Sequence, residues 1–175
     1  MLGIVAALDV MVPMRDGVRL AFDVYRPGID GDFADGRYPT IMCHTAYDKA
    51  TRRYVEIADF FVPRGYNVVL VDMRDRYRSE GSGTYYHSAT PHTGRDGYDI
   101  VEWIAAQPWS NGRVGTVGSS YAGQVQVRTA LERPPHLTAI WPDVVTTNNY
   151  ANCAREGGAM QGHMFWADRK STRLN

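Results

Sequence analysis

The chain has 175 residues, of which 44% are hydrophobic and 22% charged, as in a single globular domain with a real core. Nineteen basic residues balance nineteen acidic ones, so no net charge attracts nucleic acid or an anionic membrane surface. Substrate choice must therefore come from a pocket. Cys43 and Cys153 are too few and too scattered for a disulfide framework or a zinc site, and we expect buried thiols. No apolar run reaches membrane-spanning length, and residues 1–8 lack the basic start of a signal peptide.

The first predicted elements are two strands within residues 9–25, joined at residues 15–17. An Asp-Gly pair between apolar-rich segments is typical of a hairpin. Apolar and polar residues alternate in the second strand, which indicates one buried face. Residues 27–36 are expected to form a loop.

Strands and helices then alternate along the chain. Short runs with apolar centres predict strands covered on both faces, and helical spacing of apolar residues predicts helices. In order, the predictions are a strand at 39–44, a helix at 54–62, a strand at 66–72, a helix at 96–107, a strand at 114–117, a helix at 124–131 and a strand at 137–141. This order predicts an α/β fold with a doubly wound, mostly parallel sheet and an antiparallel N-terminal hairpin.

The segment around Ser120 carries the main chemical signal. A short apolar strand and a helix-compatible run enclose small residues, which is the pattern of a nucleophile elbow, where a sharp turn exposes a serine hydroxyl. Gly118, Ala122 and Gly123 provide the small positions that bring strand and helix together. The alternative is a glycine-rich turn that packs a helix or cradles a phosphate, but a phosphate loop would carry lysine where Gln124 stands.

A serine nucleophile needs a base and donors that stabilise the oxyanion formed after attack. In an elbow, one donor is the backbone N–H of the next residue, here Tyr121. The second donor comes from the loop after the third strand, where Tyr47 offers a phenolic hydroxyl. The alternative for Tyr47 is an interfacial tyrosine with a packed ring and a solvated hydroxyl. Charged residues at 72–76 are interpreted as an internal network rather than as substrate contacts.

Six motifs in combination resemble the CocE/NonD hydrolases, a group that includes cocaine esterase, α-amino acid ester hydrolases and the catalytic domain of Xaa-Pro dipeptidyl-peptidases. The motifs lie at residues 9–20, 47–49, 74–81, 96–99, 107–112 and 118–123. The resemblance implies an α/β-hydrolase fold with Ser120 as the nucleophile and the Tyr47 hydroxyl and the Tyr121 amide as oxyanion donors. Asp75 departs from the pattern, because relatives commonly carry glycine there.

The resemblance also implies an acid and a histidine that follow a helical cap. We expect residues 9–145 to form the N-terminal part of the catalytic domain and residues 146–167 the start of the cap. Residues 168–175 resemble a translated sequencing adaptor and are expected to be non-native. On this interpretation the chain is an N-terminal fragment, truncated at the start of the cap, that lacks the acid and the base and is nearly inert alone.

Candidates for the acid and the base within the chain are weaker. Asp143 follows a strand, but the resemblance places the acid on a later strand. The chain order nucleophile, acid, histidine argues against histidines before the serine. The five histidines are His44, His87, His92, His136 and His163.

The sequence therefore predicts a serine hydrolase that acts on ester or amide bonds through an acyl-enzyme on Ser120. The enzymatic alternatives are an Xaa-Pro dipeptidyl-peptidase and an α-amino acid ester hydrolase. The alternative from another class is a non-catalytic ligand-binding module of the same fold. The expected partner is a small ester, amide or short peptide, with no cofactor, no metal, no nucleic acid and no membrane.

Overall fold

A computed structural model describes residues 2–82 and 91–146 of the chain. Each element matches a segment that the sequence pattern favours, apart from the two-residue strand β3. In chain order the elements are β1 (Gly3–Pro13), β2 (Arg19–Ile29), β3 (Asp32–Phe33), β4 (Tyr38–Thr45), α1 (Arg52–Phe61), β5 (Asn67–Asp72), α2 (Pro91–Ala105), β6 (Ser110–Ser119), α3 (Tyr121–Leu131) and β7 (Leu137–Asp143).

Seven strands form one mixed sheet in the order β1-β2-β5-β4-β6-β7, with β3 pairing β2 at the margin. Strands β5, β4, β6 and β7 run parallel to one another, whereas β2 is antiparallel to both β1 and β5. The predicted α/β class, the N-terminal hairpin and the mostly parallel sheet are confirmed. The carboxyl ends of β4, β5 and β6 consequently lie along one edge of the sheet.

The ends of the hairpin differ from the prediction. Strand β1 begins at Gly3 instead of residue 9, and β2 continues to Ile29 into the expected loop at 27–36. Pro27, which suggested the loop, pairs with Ile4 of β1 and accepts a hydrogen bond from the Ala34 N–H at 2.8 Å, and the pairing of β2 with β5 ends before it, at Tyr25. Its missing N–H therefore removes no hydrogen bond to β5.

Helix α1 ends at Phe61, one residue before the predicted end, and Pro63 and Gly65 follow it as the sequence suggested. A short 3-10 turn at Val62–Arg64 contains Pro63 and follows the helix directly. Gly65 then adopts φ 84°, a left-handed conformation that glycine reaches without strain, and the chain turns into β5.

The core has two layers because alternate residues of β5 face opposite sides of the sheet. Val69 and Val71 pack with Ile100 and Ile104 of α2. Val68 and Leu70 pack in a second cluster that includes two buried residues of α1, Tyr54 and Ala58. Burial on both faces explains why β5 is apolar almost throughout.

The charged segment after β5 forms an internal network, but its partners are not the predicted ones. Arg74 is bound by Asp96 of α2 at 2.7 Å and by Asp16 of the hairpin turn at 2.9 Å, rather than by Asp72 or Asp75. Asp75 adopts φ 62°. Glycine is favoured at such a backbone angle, so the departure of Asp75 from the family pattern does not require a different loop path.

Residues 147–175 lie outside the described residues. They include the predicted tail at 168–175 and all of the predicted cap at 146–167 except its first residue. Within residues 2–82 and 91–146, no helix is long and apolar enough to cross a membrane.

Candidate active site

Ser120 occupies a one-residue turn between β6 and α3. It is solvent-exposed, and its backbone has φ 59° and ψ −126°, an unusual conformation for a residue with a side chain. The sequence had suggested a longer connection, with the strand ending at residue 117 and the helix beginning at 124. The sharper turn is the strand–turn–helix geometry of a nucleophile elbow.

Small residues are required on both sides of this turn. A Cβ atom placed on Gly118 would lie 2.9 Å from the Cβ of Ala122 and 3.0 Å from its carbonyl oxygen. Gly118 also adopts φ 157°. The predicted need for a small residue two positions before the serine is thus a steric need at one identifiable contact.

Backbone hydrogen bonds hold Ser120 in this conformation and do not use its hydroxyl. Its N–H donates to the carbonyl of Asp143 at the end of β7, at 2.9 Å. Its carbonyl accepts from Gly123 and Gln124 in the first turn of α3, at 2.9 and 3.0 Å. The side chain makes no helix-capping bond, so the hydroxyl remains directed to the site.

Gln126 secures the elbow from inside the protein. Its buried amide oxygen accepts from the Thr116 hydroxyl at 2.9 Å and from the Trp141 N–H at 3.0 Å. Its NH₂ group donates to the carbonyls of Gly118 at 3.1 Å, Trp141 at 3.1 Å and Ala122 at 3.3 Å. One side chain therefore ties together β6, β7 and the first turn of α3. Sequence reasoning missed this residue, because a glutamine in a helix gives no signal of burial.

Tyr47 lies on the turn between β4 and α1, and its hydroxyl is 3.4 Å from Ser120 Oγ. The half-buried ring packs against two clusters, one with Cys43 and the other with Met73 and Tyr121. The packed ring fits the alternative interpretation, in which Tyr47 is an interfacial tyrosine. The hydroxyl, however, lies close to Ser120, as expected of an oxyanion donor.

Tyr121 is the first residue of α3 and is buried. Backbone N–H groups in the first turn of a helix point out of its end, toward any negative charge placed there. The structure therefore brings Tyr47, Ser120 and the amide of Tyr121 to one edge of the sheet.

A buried ion cluster lies next to the turn between β4 and α1 that carries Tyr47. The Lys49 ammonium is 2% exposed and lies 2.7 Å from Asp9, 2.9 Å from Asp23 and 3.9 Å from Asp72. Burial alone would lower the pKa of Lys49, but hydrogen bonds to Asp9 and Asp23 outweigh it and raise that pKa. Lys49 accordingly stays charged.

Asp72 is fully buried, and this burial raises the pKa of its carboxyl group. The N–H of Lys49 donates to its Oδ1 at 2.9 Å and the N–H of Arg78 to its Oδ2 at 3.4 Å. Both bonds favour the ionised form and oppose the effect of burial.

Among the described residues, none of the other predicted acid and base candidates is hydrogen-bonded to Ser120 Oγ. His136 precedes β7 at the opposite edge of the sheet and pairs with Glu102 at 2.7 Å. His92 is exposed, 3.9 Å from Asp16. Asp143 contacts the turn through its backbone carbonyl. His87 and His163 fall outside the described residues.

His44 and Cys43 are buried in β4. Burial lowers the pKa of His44 to about 4 and raises the pKa of the Cys43 thiol to about 12. Neither group is suited to proton transfer at neutral pH. Cys153 lies outside the described residues. In the part of the chain that the structure describes, no group of three or more His, Cys, Asp or Glu side chains could hold a metal ion.

A family model for X-Pro dipeptidyl-peptidase (S15 family) matches residues 16–174. The chain belongs to this family. Among curated relatives, cocaine esterase of Rhodococcus sp. is 38% identical over 165 residues, which cover 88% of this chain and 26% of the esterase.

Solved structures of this group have the same fold. A CocE/NonD family hydrolase from Staphylococcus aureus is 30% identical with a TM-score of 0.75, over 86% of this chain and 29% of that one. An α-amino acid ester hydrolase is 29% identical with a TM-score of 0.70, over 85% of this chain and 26% of that one. The α/β-hydrolase fold and the CocE/NonD resemblance are thereby confirmed. The chain spans about a quarter of the length of the curated relatives it matches.

Proposed function

We propose that this S15-family chain supplies the nucleophile and the oxyanion donors of a serine hydrolase that cleaves ester or amide bonds. Ser120 Oγ attacks the acyl carbon, its proton passes to a base, and the alcohol or amine leaves after protonation. Water then hydrolyses the acyl-enzyme and restores the serine. The observation that carries the proposal is the exposed serine on a strained turn, 3.4 Å from the Tyr47 hydroxyl.

The tetrahedral intermediate places a negative charge on the former carbonyl oxygen. We assign two donors to it, the Tyr47 hydroxyl and the backbone N–H of Tyr121. Both groups belong to rigid parts of the fold, since the Tyr47 ring is packed and Tyr121 begins α3. Preorganised donors of this kind stabilise the transition state more than the ground state.

The base and the acid are assigned to residues outside those described. Inside residues 2–82 and 91–146, neither a histidine nor a carboxylate is hydrogen-bonded to Ser120 Oγ. The resemblance to the CocE/NonD hydrolases implies that both groups follow the cap. The chain alone should therefore react much more slowly than the natural full-length polypeptide.

A fluorophosphonate probe tests the nucleophile. In the natural full-length polypeptide we expect covalent labelling at Ser120 that is lost in Ser120→Ala. Ser119→Ala is the matched control, because it removes the neighbouring hydroxyl and should label normally. Labelling that survives Ser120→Ala, or no labelling of a folded protein, would overturn the proposal, and the latter would favour a ligand-binding module.

Substrate class is tested with two chromogenic compounds, an aryl ester and an Xaa-Pro anilide. Relatives named as a cocaine esterase and an α-amino acid ester hydrolase support ester cleavage, and the S15 family description supports the peptide. We expect the higher kcat/KM with the ester. A higher value with the Xaa-Pro anilide would assign the peptidase alternative.

Tyr47→Phe tests the oxyanion assignment. We expect kcat to fall about 100-fold with KM nearly unchanged, because the hydroxyl acts on charge that develops in the transition state. The phenyl ring preserves the packing. An unchanged kcat would remove Tyr47 from the mechanism.

A further inference from the structure

Lys49 connects the turn that carries Tyr47 to three strands outside that turn. Its ammonium is bound by Asp9 of β1 and Asp23 of β2, at 2.7 and 2.9 Å. Its backbone N–H donates at 2.9 Å to Asp72 at the end of β5. A single residue thus has both its main chain and its side chain fixed, two positions after Tyr47.

The bonds inside the turn determine its shape but not its position on the sheet. The Tyr47 N–H donates to the Thr45 hydroxyl at 3.0 Å, and Asp48 accepts from Ala50 and Thr51 at 3.0 and 3.1 Å. Asp48 has φ 68°, which makes the bend compact. These contacts are all local, so the position of the turn on the sheet depends on the packing of the Tyr47 ring and on the bonds made by Lys49.

The hairpin of β1 and β2 places two carboxylates next to Lys49. The pairing of β1 with β2 shifts register between Ala7 and Val10, and Asp9 within the irregularity adopts φ 53°. The Asp9 N–H donates to Asp23 Oδ1 at 2.9 Å, and the same oxygen lies 2.9 Å from the Lys49 ammonium. Bulges commonly redirect a side chain toward a functional region.

Stability alone does not account for a buried ammonium. Removing an ammonium from water is unfavourable, and apolar residues of similar volume often replace buried ion pairs without loss of stability. A directional requirement explains the cluster better. Charged hydrogen bonds fix a group in orientation, which apolar packing does less well.

We propose that Lys49 is a positioning residue that holds the Tyr47 hydroxyl at the oxyanion site. This inference rests on the proposed function. Without the anchor, the turn retains its local shape but the hydroxyl is displaced from Ser120. A displacement near 1 Å is enough to reduce catalysis about 100-fold.

The test is a double-mutant cycle in the natural full-length polypeptide, with kcat and KM measured on an aryl ester. Lys49→Met keeps the length of the side chain and removes the charge. We expect kcat to fall at least tenfold with KM within about twofold. In a Tyr47→Phe background, Lys49→Met should have almost no further effect, since the hydroxyl it positions is gone. Lys49→Arg, which keeps the charge, should recover part of kcat.

Arg52→Met is the matched control. This cation lies three residues further along, is 75% exposed and pairs with Glu56 and Asp59 on its own helix. It should leave kcat unchanged in both backgrounds. If Lys49→Met does not fold, Asp9→Asn takes its place in the cycle, because Asp9 is half exposed and contacts the turn through Lys49.

Two outcomes overturn the inference. One is an unchanged kcat in a folded variant of the lysine anchor. The other is a fall in kcat caused by Lys49→Met that is as large in the Tyr47→Phe background as in the native background. That result would mean an independent structural role. If instead Ser120→Ala retains activity or Tyr47→Phe has no effect, the proposed function itself fails, so the two failures are distinguishable.

Discussion

His44 should make the stability of this protein sensitive to mild acid. Its side chain is 3% exposed, and neither ring nitrogen has a hydrogen-bond partner within residues 2–82 and 91–146. Two charged groups influence it, Asp96 of α2 and Arg74 after β5, and their effects oppose each other. Burial dominates and lowers the pKa of His44 from 6.5 to about 4.

The direction and size of the effect follow from proton linkage. A folded-state pKa below the unfolded value means that the unfolded chain binds the proton more tightly, so stability is complete above pH 6.5 and is lost as the pH falls toward 4. One pKa unit corresponds to about 1.4 kcal/mol. Relative to pH 8, the titration of His44 alone should lower the free energy of unfolding by about 2 kcal/mol at pH 5 and by about 3 kcal/mol at pH 4.

Urea unfolding of the 175-residue chain, followed by tryptophan fluorescence from pH 8 to pH 5, measures this cost. The native chain should lose about 2 kcal/mol more than His44→Leu over that range, because the carboxylates titrate in both proteins and cancel in the difference. His92→Asn removes an exposed histidine and should follow the native curve. Parallel curves for the native chain and His44→Leu would refute the reasoning, since they would show that burial does not exclude the proton.

Two further predictions concern the elbow. Gly118→Ala should destabilise the chain by about 1–3 kcal/mol in urea unfolding, because its new Cβ would lie 2.9 Å from the Cβ of Ala122. Gly115→Ala is the control and should cost much less, because its Cβ would lie 3.4 Å from Ile41. Equal costs for the two variants would contradict the steric argument. Gln126→Met should cost about 1–3 kcal/mol, because it leaves buried carbonyls without donors. An unchanged free energy of unfolding would mean that these hydrogen bonds do not hold the turn.

The fold was predictable where local pattern and burial agree. Residues 68–71 are apolar because both faces of β5 are covered, and the Asp-Gly turn forms the expected hairpin. The prediction was wrong at the first strand and at residues 27–29. Strand β1 lies at the edge of the sheet, where side chains alternate less strictly. Pro27 is compatible with a strand because the pairing of β2 with β5 ends before it, at Tyr25.

The site was predictable only in part. Ser120 is indicated by the small residues around it, and Tyr47 by its place after β4. The contributions of Gln126 and Lys49 were not apparent, because the burial of a polar side chain depends on residues distant in sequence. Asp9, for example, is 40 positions from the lysine it binds. Their roles at the elbow and the turn stay predictions until the variants are measured.

Sheet topology explains why a tyrosine at 47 and a serine at 120 meet. Strands β4 and β6 are parallel neighbours, and Met42 lies opposite Thr116. Continuing this register by three residues places the end of β4, Thr45, opposite the end of β6, Ser119. The two chains then leave the sheet side by side, so the first turns after these strands share one surface. The contact between the two hydroxyl groups therefore depends on how each turn is held, and the bonds that hold them come from strands on either side: β7 for the serine and β1, β2 and β5 for the tyrosine.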